Sequence, residues 1–184
     1  MNREPALELL NHHVKNPRTI AHCLASEAVL RALAQRLNQD EERWGMAGLL
    51  HDLDVETTAK NPELHGHETI RILKELGLDD EILDTIIHHN EMNGSGQRHS
   101  LFHHALAAGE TITGLITAVS LVYPDKKVAS VKPKSITKRM KEKAFAASVN
   151  RETIMECEKL GLTLDEFAAL SLEAMTKIAD AIDL

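Results

Sequence analysis

The sequence is poor in cysteine and in aromatic residues. Its 184 residues include two cysteines, one tryptophan, one tyrosine and three phenylalanines. Cys23 and Cys157 are too few for a framework of disulfides or for a zinc site built from cysteines, and neither belongs to a Cys-x-x-Cys pair. We expect both to pack as small apolar side chains. The scarcity of aromatic rings also argues against a surface that stacks the bases of single-stranded nucleic acid.

Long apolar runs are missing as well. No run in the sequence reaches the roughly 18 residues that a membrane-spanning helix requires. The first ten residues carry Arg3, Glu4 and Glu8, where a secretory signal peptide would be apolar. The sequence therefore predicts a cytoplasmic protein that does not interact with membranes.

Acidic residues outnumber basic ones, 28 to 21, which gives a formal net charge of −7. This charge opposes general nucleic-acid binding, because nucleic acids attract basic proteins through their phosphates. The basic residues are concentrated in residues 126–143, where eight of them accompany one acidic residue, Glu142. This basic segment is either a solvated surface or a rim that attracts phosphates to a site elsewhere in the chain. In the second case we expect Lys132 and Lys134 to contact the substrate phosphate.

Apolar residues follow the helical period along the chain. Those at positions 30, 33, 34 and 37, for example, lie on one face of a helix predicted for residues 18–37. Gly77 is a stop signal for another helix, and Thr163 with Glu166 forms a capping box at the start of the last one. Residues 101–122 are apolar and rich in small side chains, which predicts one kinked helix or two consecutive helices. No segment has the period of two that indicates a strand.

These patterns predict an all-α fold, a single-domain helical bundle that spans residues 1–184. The core is expected at about 18–122. The basic segment and the helices of residues 150–184 are expected to pack on that core. The sequence contains no internal repeat and no linker that would divide the chain.

Eleven histidines are the unusual feature of the composition. His22 precedes Val29 by seven residues, and this spacing places it on the apolar face of its helix. His51 and Asp52 directly follow the apolar residues 44–50, so two titratable side chains stand where burial is expected. Buried histidines are commonly explained by a hydrogen bond to a carbonyl or a carboxylate, so each position also has a purely structural explanation.

Two later positions combine charge and expected burial in the same way. His89 lies on the apolar stripe of its helix and His88 on the wetter side with Asp84, so the periodicity favours His89 as the inward residue. Glu110 follows Leu106 by one helical turn and needs a positive partner there. Several inward histidines beside inward carboxylates are what a divalent cation would neutralise. These ligands suit Mn²⁺, Fe²⁺, Co²⁺, Ni²⁺ or Zn²⁺ and, with fewer nitrogen ligands, Mg²⁺.

The order of these residues resembles the HD-domain metal-dependent phosphohydrolases, whose pattern is a histidine, a His-Asp doublet and a later aspartate. Here the order is His22 in TIAHCLASE, His51-Asp52 in MAGLLHDLD and Glu110 in AAGETITGLI. Similar sequences usually have aspartate at the last position, and glutamate reaches one methylene further. The chain looks like the HDIG-like branch and not like a full HD-GYP protein, because Gly96-Gln97-Arg98 replaces Gly-Tyr-Pro.

The resemblance implies one or two divalent metal ions in each chain. Asp52 would bridge the two ions and take part in catalysis, and Asp54 could orient the attacking water or protonate the leaving oxygen. The implied ligands are His22, His51, Asp52 and Glu110 for one ion, and Asp52, His65 and either His88 or His89 for the other.

The implied activity is hydrolysis of a small phosphoester, a nucleotide or a related metabolite, by metal-activated water. One alternative is a non-catalytic signalling or scaffold module with the same fold. Another is an oxygenase that binds two irons with the same ligands. A homo-oligomer is compatible with the sequence. The remaining histidines, including His99 and His103, are expected to have surface or supporting roles.

Overall fold

The computed structural model describes residues 1–184, and every regular element in it is a helix. The predicted all-α fold is confirmed. None of the helices combines the length and the apolar character that crossing a membrane requires. The α-helices are α1 (Arg3–His13), α2 (Pro17–Leu37), α3 (Glu41–Leu50), α4 (Val55–Thr58), α5 (His67–Glu75), α6 (Asp80–Ile87), α7 (Leu101–Leu121), α8 (Pro133–Met140), α9 (Arg151–Met155) and α10 (Leu164–Lys177). Short 3-10 helices cover Pro62–Leu64, Val128–Ser130, Glu156–Leu160 and Ala179–Ala181.

Capping side chains explain where the long helices begin. Asn16 accepts a hydrogen bond from a backbone amide in the first turn of α2, and Pro17 occupies the first helical position, where no N–H is needed. Ser100 caps α7 in the same way. The capping box predicted for α10 is present, with Thr163 and Glu166 each bonding to the backbone of the other.

Glycines allow α2, α3 and α7 to pack closely at the centre of the molecule. At Gly48 of α3, a Cβ atom would lie 2.7 Å from the carbonyl oxygen of Ser26 in α2. At Gly109 of α7, a Cβ atom would lie 2.6 Å from Leu30 Cδ2. These close approaches bring the end of α3, which His51 directly follows, next to the helices that carry His22 and Glu110.

One apolar core extends from these helices into the C-terminal part of the chain. Val128, Ile136 and Phe167 are fully buried and belong to the same cluster of buried residues as Leu49 and Ile112. The basic segment and α10 therefore pack on the central helices and do not form a separate core.

Two helices differ from the prediction. α7 is one continuous helix, because its packing against α2 outweighs the weak helix propensity of Gly109 and Gly114. The apolar pattern predicts a helix over about residues 41–53, but α3 ends at Leu50. Leu53 is still buried, but it reaches the core from the turn that follows the helix. This turn carries His51 and Asp52.

Candidate metal centre

His51 lies in the turn after α3, and hydrogen bonding orients its ring. The ring Nδ1 atom lies 2.9 Å from the carbonyl oxygen of Gly48. A carbonyl oxygen can only accept, so Nδ1 donates and the lone pair of the neutral ring is on Nε2. Burial lowers the pKa of His51 to about 3, although the charge of Asp52 opposes this shift. The ring is therefore neutral near pH 7.

His22 projects from the first half of α2 towards His51. Its Nδ1 atom lies 2.9 Å from the hydroxyl oxygen of Thr113, and this hydroxyl donates its own hydrogen to the Glu110 carbonyl oxygen. The Thr113 oxygen therefore accepts from His22, which leaves the lone pair of neutral His22 on Nε2. The Nε2 atoms of His22 and His51 are 3.2 Å apart. Two lone pairs that face each other at this distance require a cation or a proton between them.

His65 and His89 form a second pair of the same kind. The Nδ1 atom of His65 donates to the Asp54 carboxylate at 2.7 Å, and that of His89 donates to the Ile86 carbonyl oxygen at 2.5 Å. The two Nε2 atoms face each other at 2.9 Å. Carbonyl and carboxylate acceptors at the outer nitrogen are typical of histidines that bind metals through the inner one.

The carboxylate of Asp52 lies between the two histidine pairs. Burial acts to raise the pKa of Asp52, but the electrostatic interaction with His51 and the hydrogen bonds of His65 and His89 hold this pKa well below its usual value. Asp52 is therefore an anion that two cations could share. Its oxygen atoms lie 3.8 Å from His22 Nε2, 3.5 Å from His51 Nε2, 3.1 Å from His65 Nε2 and 3.7 Å from His89 Nε2.

This donor set fits divalent ions. Ligand atoms of His22, His51 and Asp52 lie within 4.8 Å of one another, and so do those of Asp52, His65 and His89. Burial acts to lower the pKa of His65, but its hydrogen bonds with Asp52 and Asp54 raise it to about 9. A proton thus stabilises this cluster in the absence of metal. A metal ion would displace that proton and supply the positive charge that the facing lone pairs require.

Glu110, on α7, lies beside His22. Its Oε2 atom is 3.6 Å from His22 Nε2, and its Oε1 atom accepts a hydrogen bond from the Thr111 hydroxyl at 2.5 Å. Burial raises the pKa of Glu110, although the charge of His22 acts to lower it. The structure therefore brings a carboxylate to the free nitrogen of His22, close to the first histidine pair.

Asp54 occupies a different environment from the one expected of a catalytic residue. Its buried carboxylate accepts hydrogen bonds from three backbone amides at the start of α5 and from His65 Nδ1. Burial acts to raise the pKa of Asp54, but these hydrogen bonds hold it below its usual value. The side chain does not line the cavity beside Asp52. The role of orienting water or protonating a leaving group is therefore corrected: Asp54 positions His65.

We expect the Asp54→Asn substitution to weaken metal binding about 10- to 100-fold, because the His65 ring loses its carboxylate partner. Competition of the folded variant with a chromophoric chelator for Zn²⁺ measures this change. Asp79→Asn is the matched control, because Asp79 caps the start of α6 but contacts no histidine. An affinity equal to that of the unchanged protein would contradict the positioning role.

His88 is not part of the Asp52 cluster. Of the two alternatives for this ligand position, the structure therefore corrects His88 and leaves His89. Its Nδ1 atom hydrogen-bonds to the Asp84 carbonyl oxygen at 2.7 Å, and its ring stacks on that of His103 with the centroids 4.4 Å apart. Successive side chains of a helix point about 100° apart, so His88 and His89 face different neighbours. The His88 side chain is 10% exposed and that of His89 is 6% exposed, so both are buried although His88 lies on the side of the exposed Asp84.

A cavity of about 420 Å³ opens onto the Asp52 cluster. No lysine or arginine lines it. Three neutral polar residues of the lining, Ser148, Asn150 and Thr153, were not predicted from the sequence. They come from a part of the chain without a recognisable motif. The polar residues that line it are His22, Asp52, His65, His89, Asn90, Glu91, Glu110, Thr111, Ser148, Asn150 and Thr153.

Lys132 and Lys134 do not line this cavity, which favours the solvated surface over the phosphate-attracting rim among the two alternatives for the basic segment. Ile136 of α8 is fully buried, and this anchors α8 with its lysines exposed to solvent. Lys134 lines a separate surface groove together with Lys138 and Thr163, beside the start of α10. The basic segment therefore forms no rim on the cavity.

A second cavity, of about 610 Å³, adjoins the first and shares His22 and Gly114 with it. Its lining is more apolar and includes Ile20, Leu121 and Ile182. The candidate metal centre is thus open to a polar space and, across His22, to an apolar one.

Comparison with known protein families matches residues 19–119 to the family described as HD domain. The matched range covers more than half of the chain and includes both histidine pairs, Asp52 and Glu110. No curated protein and no solved structure matched the chain.

Proposed function

The chain belongs to the HD domain family, and from this premise we propose that it is a divalent-metal-dependent phosphohydrolase of small phosphoesters such as nucleotides. HD domains are typically metal-dependent phosphohydrolases. One observation carries the proposal: the histidine Nε2 atoms face each other in two pairs, at 3.2 Å and 2.9 Å, on either side of one carboxylate.

In this proposal, each histidine pair would hold one ion, and the Asp52 carboxylate is available to both. His22 and His51 would hold the first ion, with Glu110 as a further ligand, because Glu110 Oε2 lies 3.6 Å from His22 Nε2. His65 and His89 would hold the second ion. Divalent ions there would supply a water molecule of lowered pKa and positive charge for the phosphoryl oxygens, which is the chemistry that hydrolysis of a phosphoester needs.

The lining of the polar cavity supports a substrate that carries phosphate. No lysine or arginine lines this cavity to neutralise a phosphoryl group, so bound metal ions would supply the positive charge. Thr111, Ser148 and Asn150 offer neutral hydrogen-bonding groups around the same space. Those groups can orient phosphoryl or sugar oxygens without competing for the metal ions.

The adjoining apolar cavity supports an organic group on the phosphate. Ile20, Leu121 and Ile182 can exclude water from a base or another apolar moiety, while His22 separates this space from the polar one. A phosphoester would then lie across His22, with its phosphate at the candidate metal centre.

Metal analysis followed by a phosphate-release screen tests the proposed function. Untagged protein purified without added ions should retain about one or two first-row metal ions per chain. Chelation should abolish hydrolysis of p-nitrophenyl phosphate, bis(p-nitrophenyl) phosphate or nucleotides, and one of Mn²⁺, Fe²⁺, Co²⁺, Ni²⁺, Zn²⁺ or Mg²⁺ should restore it. Phosphate release that survives complete metal removal would overturn the proposal.

The same screen separates the alternatives. Metal that binds without hydrolysis of any phosphoester would favour a non-catalytic signalling or scaffold module. Iron that supports oxygen consumption but no phosphate release would favour the oxygenase, because histidine and carboxylate ligands also suit two irons. Either result would replace the phosphohydrolase proposal.

The double substitution Lys132→Ala with Lys134→Ala is expected to change kcat/KM less than about twofold, because neither lysine lines the polar cavity. Initial rates with the best substrate of the screen measure this effect. A loss of tenfold or more at the same ionic strength would mean that the basic segment contacts the substrate after all.

A further inference from the structure

A second cluster of metal-binding side chains lies between the end of α6 and the start of α7, outside the candidate metal centre. It contains three histidines, His88, His99 and His103, with Asp84 beside them. None of these side chains lines the cavity beside Asp52. The family match and the ligand set proposed above leave all four unused.

The four residues come from the two ends of the segment that joins α6 to α7. Asp84 lies in the last turn of α6 and His88 directly follows that helix. His99 lies just before the capping residue Ser100, and His103 lies in the first turn of α7. The end of one helix and the start of the next therefore place these side chains together.

The distances within the cluster would allow its histidines to bind one metal ion together. One ring nitrogen from each histidine lies within 4.8 Å of the others. The Asp84 carboxylate links the buried rings, because its Oδ1 lies 3.4 Å from His88 Nδ1 and its Oδ2 lies 2.8 Å from His103 Nε2. The His99 ring lies across the open side, with its centroid 4.6 Å from that of His103 and 5.7 Å from that of His88.

Hydrogen bonding leaves part of this cluster free for a cation. His88 Nδ1 donates to the Asp84 carbonyl oxygen, so the lone pair of neutral His88 is on Nε2. His99 is exposed, and its Nδ1 has only a long contact of 3.4 Å with the Gln97 carbonyl oxygen. The cluster therefore combines two buried rings with one exposed ring at the surface, and an ion can reach it from solvent.

We propose that His88, His99 and His103, assisted by Asp84, form a second metal site that takes a borderline cation such as Zn²⁺, Co²⁺ or Ni²⁺. Three imidazoles and one carboxylate are the ligands that these ions prefer, and they suit Ca²⁺ or Mg²⁺ poorly. Ion binding would fasten the end of α6 to the start of α7. The segment between these helices begins with His88 and His89, so the second site would also hold the backbone beside His89.

Metal counting with two substitutions tests this site separately from the proposed function. In the Asp52→Ala chain, which lacks the shared carboxylate of the candidate centre, Zn²⁺ should still bind at one equivalent per chain. Adding His99→Gln should weaken that binding at least about tenfold. His12→Gln is the matched control, because His12 is also exposed but belongs to none of the three groups of metal-binding side chains. This substitution should leave the Zn²⁺ binding unchanged. The protein must be free of a histidine tag.

A second measurement covers the case in which the Asp52→Ala chain does not fold. In the otherwise unchanged chain, His99→Gln should remove one metal equivalent while phosphate release, where it is found, remains. Zn²⁺ should also raise the melting temperature less in this variant than in the His12→Gln chain. Equal metal content in the two variants would show that the cluster is only a hydrogen-bonded network, and the proposal would then be wrong.

Discussion

The Asp52→Ala substitution is expected to remove the metal bound at the candidate metal centre and to lower kcat/KM for phosphoester hydrolysis by at least about a thousandfold, or about 4 kcal/mol of transition-state stabilisation. Asp52 is the only side chain whose oxygens lie within 4 Å of an Nε2 atom in both histidine pairs. Its loss therefore removes a ligand from both proposed ions and also the negative charge that attracts them. Metal content of the purified variant and initial rates with added Mn²⁺ measure the two effects.

Two further variants separate this explanation from a general loss of structure. Asp52→Asn keeps the shape of the side chain but removes the charge, so it should fold and still lose most of the metal. Asp180→Ala removes an exposed carboxylate far from both histidine pairs in the sequence and should leave metal content and rate unchanged. Full metal content in both Asp52 variants would contradict the central place that we give to this residue.

Helical periodicity identifies the inward residues of the centre from the sequence alone. His22, His51, Asp52, His89 and Glu110 each stand at positions where apolar side chains are expected. A titratable side chain at such a position is costly unless it has a partner, so five of them indicate a shared partner. Their order along the chain then indicates the family. Which atoms face one another depends on tertiary packing and cannot be inferred from spacing.

The misplaced predictions share a physical cause. The spacing of two residues from Asp52 predicts a catalytic role for Asp54, but the start of α5 returns to Asp54 and captures its charge with backbone amides. Periodicity predicts His88 at the surface, but α7 brings His103 onto it. Both outcomes depend on contacts with residues distant in sequence, which local periodicity does not describe. The lysines of α8 are exposed and do not line the cavity, because the burial of Ile136 fixes the inward face of that helix.

The Gly48→Ala substitution is expected to destabilise the fold by about 2–3 kcal/mol and to lower the melting temperature by about 5–10 °C. An added Cβ atom would lie 2.7 Å from the Ser26 carbonyl oxygen and 2.9 Å from the Glu27 amide nitrogen. Both are backbone atoms of α2 and cannot rotate away, so the two helices must separate. Thermal and urea unfolding of the metal-free chain measure the loss.

Gly114→Ala is the matched control, because Gly114 also lies within a helix but a Cβ atom there would meet only Val149 Cγ2, at an ordinary 3.5 Å. That variant should be unchanged or up to about 1 kcal/mol more stable, because alanine favours a helix. If the Gly48 variant unfolds like the control, the close approach of α2 and α3 does not limit stability.

The position of Gly48 gives its substitution a second consequence. Ser26 follows His22 by one turn of α2, and Gly48 precedes His51 by one turn while accepting the hydrogen bond that orients its ring. The helix separation at this glycine therefore sets the distance of 3.2 Å between His22 Nε2 and His51 Nε2. Folded Gly48→Ala protein, assayed well below its melting temperature, should bind metal at least about tenfold more weakly than Gly114→Ala protein. Equal affinities in the two variants would mean that the first histidine pair tolerates helix displacement.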